Sequence, residues 1–201
     1  MIFNPSGVPL AGMVALLLIL GGCATTPPAP KAEPTISTAP APIVRQFDLG
    51  GRVAVRYQEQ GFSANLDWQH SEKSDQLLIL NPLGQGVAQI SRDDNGVTLK
   101  TADRRELMAS DAEALTQQVL GWRLPLKGLG YWVVGAAAPG PVNILERDAA
   151  GRLARIEQEG WSIAYRGYRT VNGFDLPTRV ELVRPELEIK LVADNWRAAS
   201  R

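Results

Sequence analysis

Hydrophobic and polar residues alternate along much of the chain, and this alternation predicts β-strands. In the stretch 62–69 (FSANLDWQ) every second residue is apolar, which is the period of a strand with one apolar face. Val53, Val55 and Tyr57 form a similar series just before it, and Gly61 marks the connecting hairpin. Further strands are predicted over residues 76–80, 87–91, 96–101, 152–158, 161–166, 178–183 and 187–192. About ten short strands joined by tight turns indicate an antiparallel sheet that is curled or closed into a barrel.

The strand pattern is interrupted by two helical segments. Ser110 and Glu113 have the spacing of a capping box, and the helix that they begin continues to Leu120. A second short helix is predicted over residues 126–134. Because this insertion separates two groups of strands, its helices are expected to cover one mouth or face of the sheet. The predicted fold class is mainly β with an α lid: an unclosed antiparallel β-barrel of about ten to eleven strands covered by short helices, with a flat two-layer α+β sandwich as the alternative.

The N-terminal region carries a targeting signal. Residues 10–20 form the longest uncharged apolar stretch, and Leu20-Gly21-Gly22-Cys23 closes it. This tetrapeptide resembles the bacterial lipobox, in which a signal peptide is removed immediately before a cysteine that becomes lipidated. The stretch has the length of a signal-peptide core and is too short to span about 30 Å of hydrocarbon. We therefore predict a signal peptide over residues 1–22 and a lipid anchor on Cys23, with an ordinary secretory signal as the alternative.

Residues 23–42 are predicted to form a lipidated, proline-rich tether. They hold six of the fourteen prolines and almost no large apolar side chain, so they cannot bury enough surface to fold. Ala24 follows the cysteine, whereas lipoproteins retained in the inner membrane commonly carry Asp there, so Ala24 is compatible with export to the outer membrane. Residues 43–201 are long enough for one domain with its own core.

Composition excludes most catalytic and nucleic-acid-binding chemistry. Lys+Arg and Asp+Glu balance at 21 each, so no basic excess is present to neutralise phosphates and no nucleic-acid partner is expected. A single histidine and a single cysteine cannot build an ordinary zinc site, and no P-loop motif occurs. His70 extends the apolar series 62–68 by one step and is interpreted as an ordinary rim residue. We therefore predict no catalytic residue, no metal, no cofactor and no enzyme activity, with a carboxylate-dependent hydrolase as a remaining alternative.

Two features point to apolar chemistry. The five tryptophans all lie in the predicted domain, where they either fill a barrel core, which is the favoured interpretation on their own, or line a wide interior for one apolar ligand. The stretch Asn81-Pro82-Leu83-Gly84 fits a type I turn with Leu83 at its tip. Turn tips normally carry polar residues, so Leu83 either folds back into the core or is displayed to meet something apolar.

An ordered series of motifs resembles the LolB family of outer-membrane lipoprotein receptors. The resemblance extends from the lipobox to the last predicted strand, and the order of the motifs is more specific than any one of them. The series comprises Gly51-Arg52-Val53, Trp68, Asn81-Pro82-Leu83-Gly84, Asp111-Ala112-Glu113, Leu120-Gly121-Trp122, Leu124-Pro125-Leu126, Tyr131-Trp132-Val133-x-Gly135, Gly160-Trp161, Leu176-Pro177 and Asn195-Trp196.

The resemblance implies an unclosed antiparallel barrel with a helical lid and an apolar cavity. It also implies a function: accepting acylated lipoproteins from the periplasmic carrier LolA and inserting them into the outer membrane, whose lipid is the third partner. In the family the leucine of the protruding loop matters for insertion, which implies a membrane-insertion loop of Pro82, Leu83 and Gly84 here. We expect a monomer on the periplasmic face of the outer membrane, anchored through Cys23.

The acyl-chain cavity is predicted from the residues on the apolar phases of the strands and in the lid. These residues are Val53, Val55, Phe62, Leu66, Trp68, Trp122, Trp132, Trp161 and Ile163. Two rival interpretations concern the same fold: a periplasmic carrier, which would lack the lipobox, and a structural envelope lipoprotein whose filled barrel binds no acyl chain.

Overall fold

One antiparallel sheet dominates the computed structural model, which describes residues 44–120 and 123–199. These residues form thirteen strands and two helices. The strands are β1 (Gln46–Tyr57), β2 (Gln60–His70), β3 (Asp75–Leu80), β4 (Gly86–Asp93), β5 (Gly96–Thr101), β6 (Glu106–Ala109), β7 (Ile144–Arg147), β8 (Leu153–Gln158), β9 (Trp161–Tyr165), β10 (Tyr168–Val171), β11 (Phe174–Pro177), β12 (Arg179–Arg184) and β13 (Leu187–Ala199). The helices are α1 (Ala112–Leu120) and α2 (Leu126–Trp132), and among the described residues neither is long and apolar enough to cross a membrane.

Eleven of the strands form a single sheet in the order β6-β5-β4-β3-β2-β1-β13-β12-β9-β8-β7, while β10 and β11 make a separate hairpin. Every neighbouring pair is antiparallel. In the described part of the chain the outermost strands, β6 and β7, have only one neighbour each, so the sheet is an unclosed half-barrel. This confirms the predicted fold class.

The central strand pair bends the sheet. β1 and β13 are 12 and 13 residues long, and their register shifts between Gly50 and Gly51. A Cβ atom on Gly51 would lie 2.2 Å from the carbonyl oxygen of Val192, so only glycine fits there. Bulges of this kind bend and twist long strands, which lets the two halves of the sheet curve toward one another.

The helices lie in the connection between the two outermost strands. The side chain of Asp111 caps α1, because its Oδ1 accepts a hydrogen bond from the Ala114 amide at 2.7 Å. The predicted cap, Ser110, is therefore one residue too early. Helix α2 begins at the predicted residue, and its five buried residues place it against the core: Leu126, Gly128, Leu129, Gly130 and Trp132.

The pattern of alternation predicted the long strands and missed the short ones. Strands β6, β7, β10 and β11 have four residues each, too few for two periods of alternation. Strand β1 begins at Gln46, earlier than the series at Val53 indicated, because Gly50 and Gly51 interrupt the apolar phase.

Candidate functional site

The concave face of the half-barrel carries a continuous apolar row across five strands. Leu99, Ile90, Leu77, Trp68 and Leu49 are successive register partners from β5 to β1, and all five are buried. Because side chains at paired positions point to the same side of a sheet, the row forms the floor beneath the helices.

A polar row lies next to the apolar one. Arg92 on β4, Asp75 on β3 and His70 on β2 are successive register partners on the concave face. Asp75 is fully buried; its Oδ1 accepts from Trp68 Nε1 at 2.9 Å and lies 2.6 Å from His70 Nδ1, and its Oδ2 accepts from Arg92 Nε. Burial alone would raise the pKa of Asp75, but the hydrogen bonds from His70, Arg92 and Trp68 outweigh it and hold that pKa below its ordinary value.

This polar row meets the lid directly. Gly130 of α2 lies against His70, since a Cβ atom at that position would be 2.7 Å from His70 Cε1. The ring of Phe47 stacks on His70 at 4.7 Å between centroids. The histidine expected as an ordinary rim residue therefore belongs to a buried cluster beneath α2. The sequence pattern did not identify Asp75 as a buried residue. It could have done so, because Asp75 lies on the same side of its strand as Leu77 and Ile79, and an acidic residue on the apolar side of a strand needs a partner.

A buried glutamine fixes the other end of the lid. Trp132 Nε1 and the Ala138 amide each donate to Gln158 Oε1 at 2.9 Å, and Gln158 Nε2 donates to the Ala138 carbonyl at 2.7 Å. The rings of Trp132 and Trp161 lie 6.3 Å apart. The end of α2 and the segment after it are thus held against β8 and β9 by a satisfied polar group inside an apolar cluster.

Most of the residues predicted to line the cavity lie on the concave side or in the lid. Six of them are buried: Val55, Leu66, Trp68, Trp132, Trp161 and Ile163. Val53 is half-buried, and Phe62 is 45% exposed because it lies beyond the end of the pairing between β2 and β3. Trp122 lies outside the described residues, as does Cys23.

Open space lies beside α2, in a cleft of about 730 Å³. Its lining combines apolar residues with charged ones: Val44, Arg45, His70, Glu72, Arg92, Lys127, Gly128, Gly130, Tyr131, Ala137, Ala138, Pro139 and Glu159. A volume of this size is within the usual range of about 300–1,000 Å³ for a small-molecule site. Among the described residues no group of His, Cys, Asp and Glu could hold a metal ion.

The loop between β3 and β4 is built around one asparagine. Asn81 Oδ1 accepts from the amides of Leu83 and Gln85 at 2.9 and 3.0 Å, and Asn81 Nδ2 donates to Gln85 Oε1 at 2.9 Å. The Gly84 amide donates to the Asn81 carbonyl at 2.9 Å, which closes the predicted turn, and Gly84 has φ +82°. Leu83 is 84% exposed at the tip. Of the two possibilities left open by the sequence, the leucine is displayed rather than folded back.

Solved structures show a distant likeness. A LolA superfamily protein from Nitrosomonas europaea superposes with a TM-score of 0.48 at 8% identity, over 78% of this chain and 87% of that one. A likeness this distant carries no conclusion about function.

Sequence relatives are far closer. The family model described as outer membrane lipoprotein LolB matches residues 45–196, which include the loop, both helices and ten of the eleven strands of the main sheet in full. The outer-membrane lipoprotein LolB of Thiobacillus denitrificans is 40% identical over 197 residues, which cover 94% of this chain and 98% of the relative. The protein of the same name from an Azoarcus species is 37% identical over 89% of each chain. The chain therefore belongs to the LolB family of outer-membrane lipoproteins.

Proposed function

We propose that this protein is a receptor that accepts lipoproteins from the periplasmic carrier LolA and inserts them into the outer membrane. Because the chain belongs to the LolB family, it is an outer-membrane lipoprotein with a role in lipoprotein localization. One observation supports the proposed receptor role: a leucine is 84% exposed at the tip of a loop that is closed by hydrogen bonds of Asn81.

The energetics of acyl chains explain why such a receptor works by contact. Burying each CH₂ group is worth about 0.8 kcal/mol, so releasing a long acyl chain into water costs on the order of 10 kcal/mol. Escape through solvent is therefore very slow. In the proposed cycle the acyl chain passes directly from the carrier to the receptor and then from the receptor to the bilayer, each of which binds it more tightly than the one before.

Each region of the molecule has a part in this cycle. The acyl chain binds between α2 and the concave face, against the predicted cavity residues, and the cleft beside α2 is its entrance. At the other end of β2 and β3, the half-exposed ring of Phe62 continues the apolar face toward the loop that carries Leu83. An apolar tip inserted among lipid chains lowers the barrier to delivery, because it gives the chain an apolar neighbour as it leaves the protein.

A structural envelope lipoprotein is the second candidate, and the packing favours it. Trp132, Ile156 and Ile163 have no exposed surface, so binding of an acyl chain requires α2 to move away from the sheet. The two candidates differ in one measurable respect, which is whether the folded domain takes up acylated cargo at all.

The proposed anchor is the lipidated Cys23. Replacing it in Cys23→Ala is expected to abolish lipid labelling and to leave the protein unanchored or unprocessed, because the thiol carries the lipid. Metabolic labelling with palmitate measures this directly. Label that persists in the Cys23→Ala protein would contradict the lipobox interpretation, whereas a Gly/Ser spacer in place of residues 24–42 is expected to preserve function.

The receptor function is tested by Leu83→Glu in a two-step assay. The first step measures transfer of acylated cargo from the carrier to the receptor, and the second measures its appearance in liposomes. We expect the first step to be retained, since uptake depends on the interior, and the second to fall sharply, since a charged tip is costly among lipid chains. The change in stability should stay below about 1 kcal/mol, because Leu83 contacts little.

Met108→Glu is the matched control. Met108 is 74% exposed on β6, near the opposite end of the strands from the loop, so the same charge there should leave both steps intact. If the Leu83→Glu protein delivers cargo to liposomes normally, the loop has no role at the membrane. If the wild-type domain takes up no cargo in the first step, the filled-barrel candidate is correct instead.

A further inference from the structure

Tyr165, on β9, carries a buried hydroxyl group that the fold leaves unpaired. The residue is 7% exposed, and its Oη atom makes no hydrogen bond with any of the described residues. Its neighbour Tyr168 differs in this respect. The two rings lie 6.3 Å apart, but the Tyr168 hydroxyl donates to the Leu153 carbonyl.

An unpaired buried hydroxyl costs free energy, and proteins rarely leave one without a reason. Burial, together with the neighbouring Tyr168, raises the pKa of Tyr165 well above its ordinary value, so the group stays protonated at any pH a cell meets. Tyr165 is therefore a permanent hydrogen-bond donor inside the protein that lacks an acceptor.

The surroundings of Tyr165 restrict what that acceptor can be. Its register partner Val180 and its strand neighbour Ile163 are apolar and buried on the same concave face. The segment after α2 lies beside the tyrosine pair, since a Cβ atom on Gly135 would be 3.5 Å from Tyr168 Cε1. A ligand that enters beneath this segment must bring apolar bulk and, to satisfy the hydroxyl, an oxygen that accepts without carrying a full charge.

We propose that the Tyr165 hydroxyl donates a hydrogen bond to the ester or amide carbonyl that joins an acyl chain to its lipoprotein. The inference rests on the proposed receptor function and adds a specificity-determining residue to it. The bond sets the depth to which the chain enters the half-barrel, and it lets the site prefer an acylated molecule over a plain hydrocarbon.

The experiment compares Tyr165→Phe with its matched control Tyr168→Phe. Each protein is titrated with a fluorescent fatty-acid probe, which is then displaced by methyl palmitate or by heptadecane, two ligands of similar length that differ in the ester group. For Tyr165→Phe we expect the affinity for methyl palmitate to fall roughly three- to tenfold, which is the effect of losing one neutral hydrogen bond. The affinity for heptadecane should not change, because heptadecane has no oxygen to accept that bond. Its stability without ligand should equal or exceed that of the wild type.

The control should behave in the opposite way. Tyr168→Phe loses a bond within the protein, so it should unfold at a lower denaturant concentration and keep the wild-type preference for methyl palmitate. An unchanged preference in Tyr165→Phe would overturn the inference, and so would a loss of unliganded stability as large as that of Tyr168→Phe. Failure of the wild type to bind either ligand would overturn the receptor function and this inference together, which distinguishes it from a failure of Tyr165 alone.

Discussion

Polar side chains have opposite effects in two regions of the molecule, the buried cluster beneath α2 and the loop over residues 81–85. Under the helix, Asp75 and Gln158 satisfy buried partners so that apolar side chains around them pack without solvent. In the loop, Asn81 satisfies backbone amides so that one apolar side chain can stay in solvent. The first arrangement stabilises the fold, and the second fixes the position of Leu83 without needing a core. Changes in the two regions should therefore separate stability from delivery.

The largest effect is expected from Asp75→Asn, which should lower the free energy of unfolding by about 3 kcal/mol near neutral pH. The substitution leaves Arg92 without its carboxylate in a buried setting, and breaking such a pair by removing one partner is strongly destabilising. Denaturant titration measures the loss. Asp103→Asn, in an exposed ion pair with Arg105, is the control and should show no measurable change.

The same variant should respond differently to pH. Because the pKa of Asp75 in the folded state lies below its ordinary value of 3.8, its stabilising contribution is present above that value and is lost as pH falls through the folded-state pKa. The gap between wild type and Asp75→Asn should therefore be widest above pH 4 and should close in stronger acid. A gap that stays constant down to pH 2 would show that the charge of Asp75 contributes nothing.

A smaller effect on stability is expected from Asn81→Ala, about 1 kcal/mol, since the loop loses side-chain hydrogen bonds that are exposed to water. Delivery to liposomes should nevertheless fall, because Leu83 is no longer held in place. Asn81→Asp keeps the accepting oxygen atoms and should retain most of the delivery. If Asn81→Ala delivers as well as the wild type, the rigidity of the loop is irrelevant and only the exposure of Leu83 matters.

Local features of the fold were predictable from the sequence, and features that depend on distant partners were not. The alternation over residues 62–69 and the turn at Asn81 involve residues close in sequence, so their patterns predicted β2 and the turn, although they left open whether Leu83 is exposed. The hydrogen bonds of Gln158 to Trp132 and Ala138 join residues at least 20 positions apart, so no local pattern could identify these partners. The unpaired hydroxyl of Tyr165 is likewise visible only when every neighbour is placed.

The pairing of β1 with β13 has a consequence for how the chain folds. These strands join the two halves of the main sheet, and the Arg52–Asp194 ion pair across them links residues 142 positions apart. Closing so long a loop carries a large entropic cost, and folds dominated by such non-local pairings form slowly. Each half can form its hairpins early, but the concave apolar surface stays open until the last strand is in place. Pairing of the final strand with β1 is thus the step that buries the apolar surface of the two halves, which are prone to aggregate while that surface is exposed.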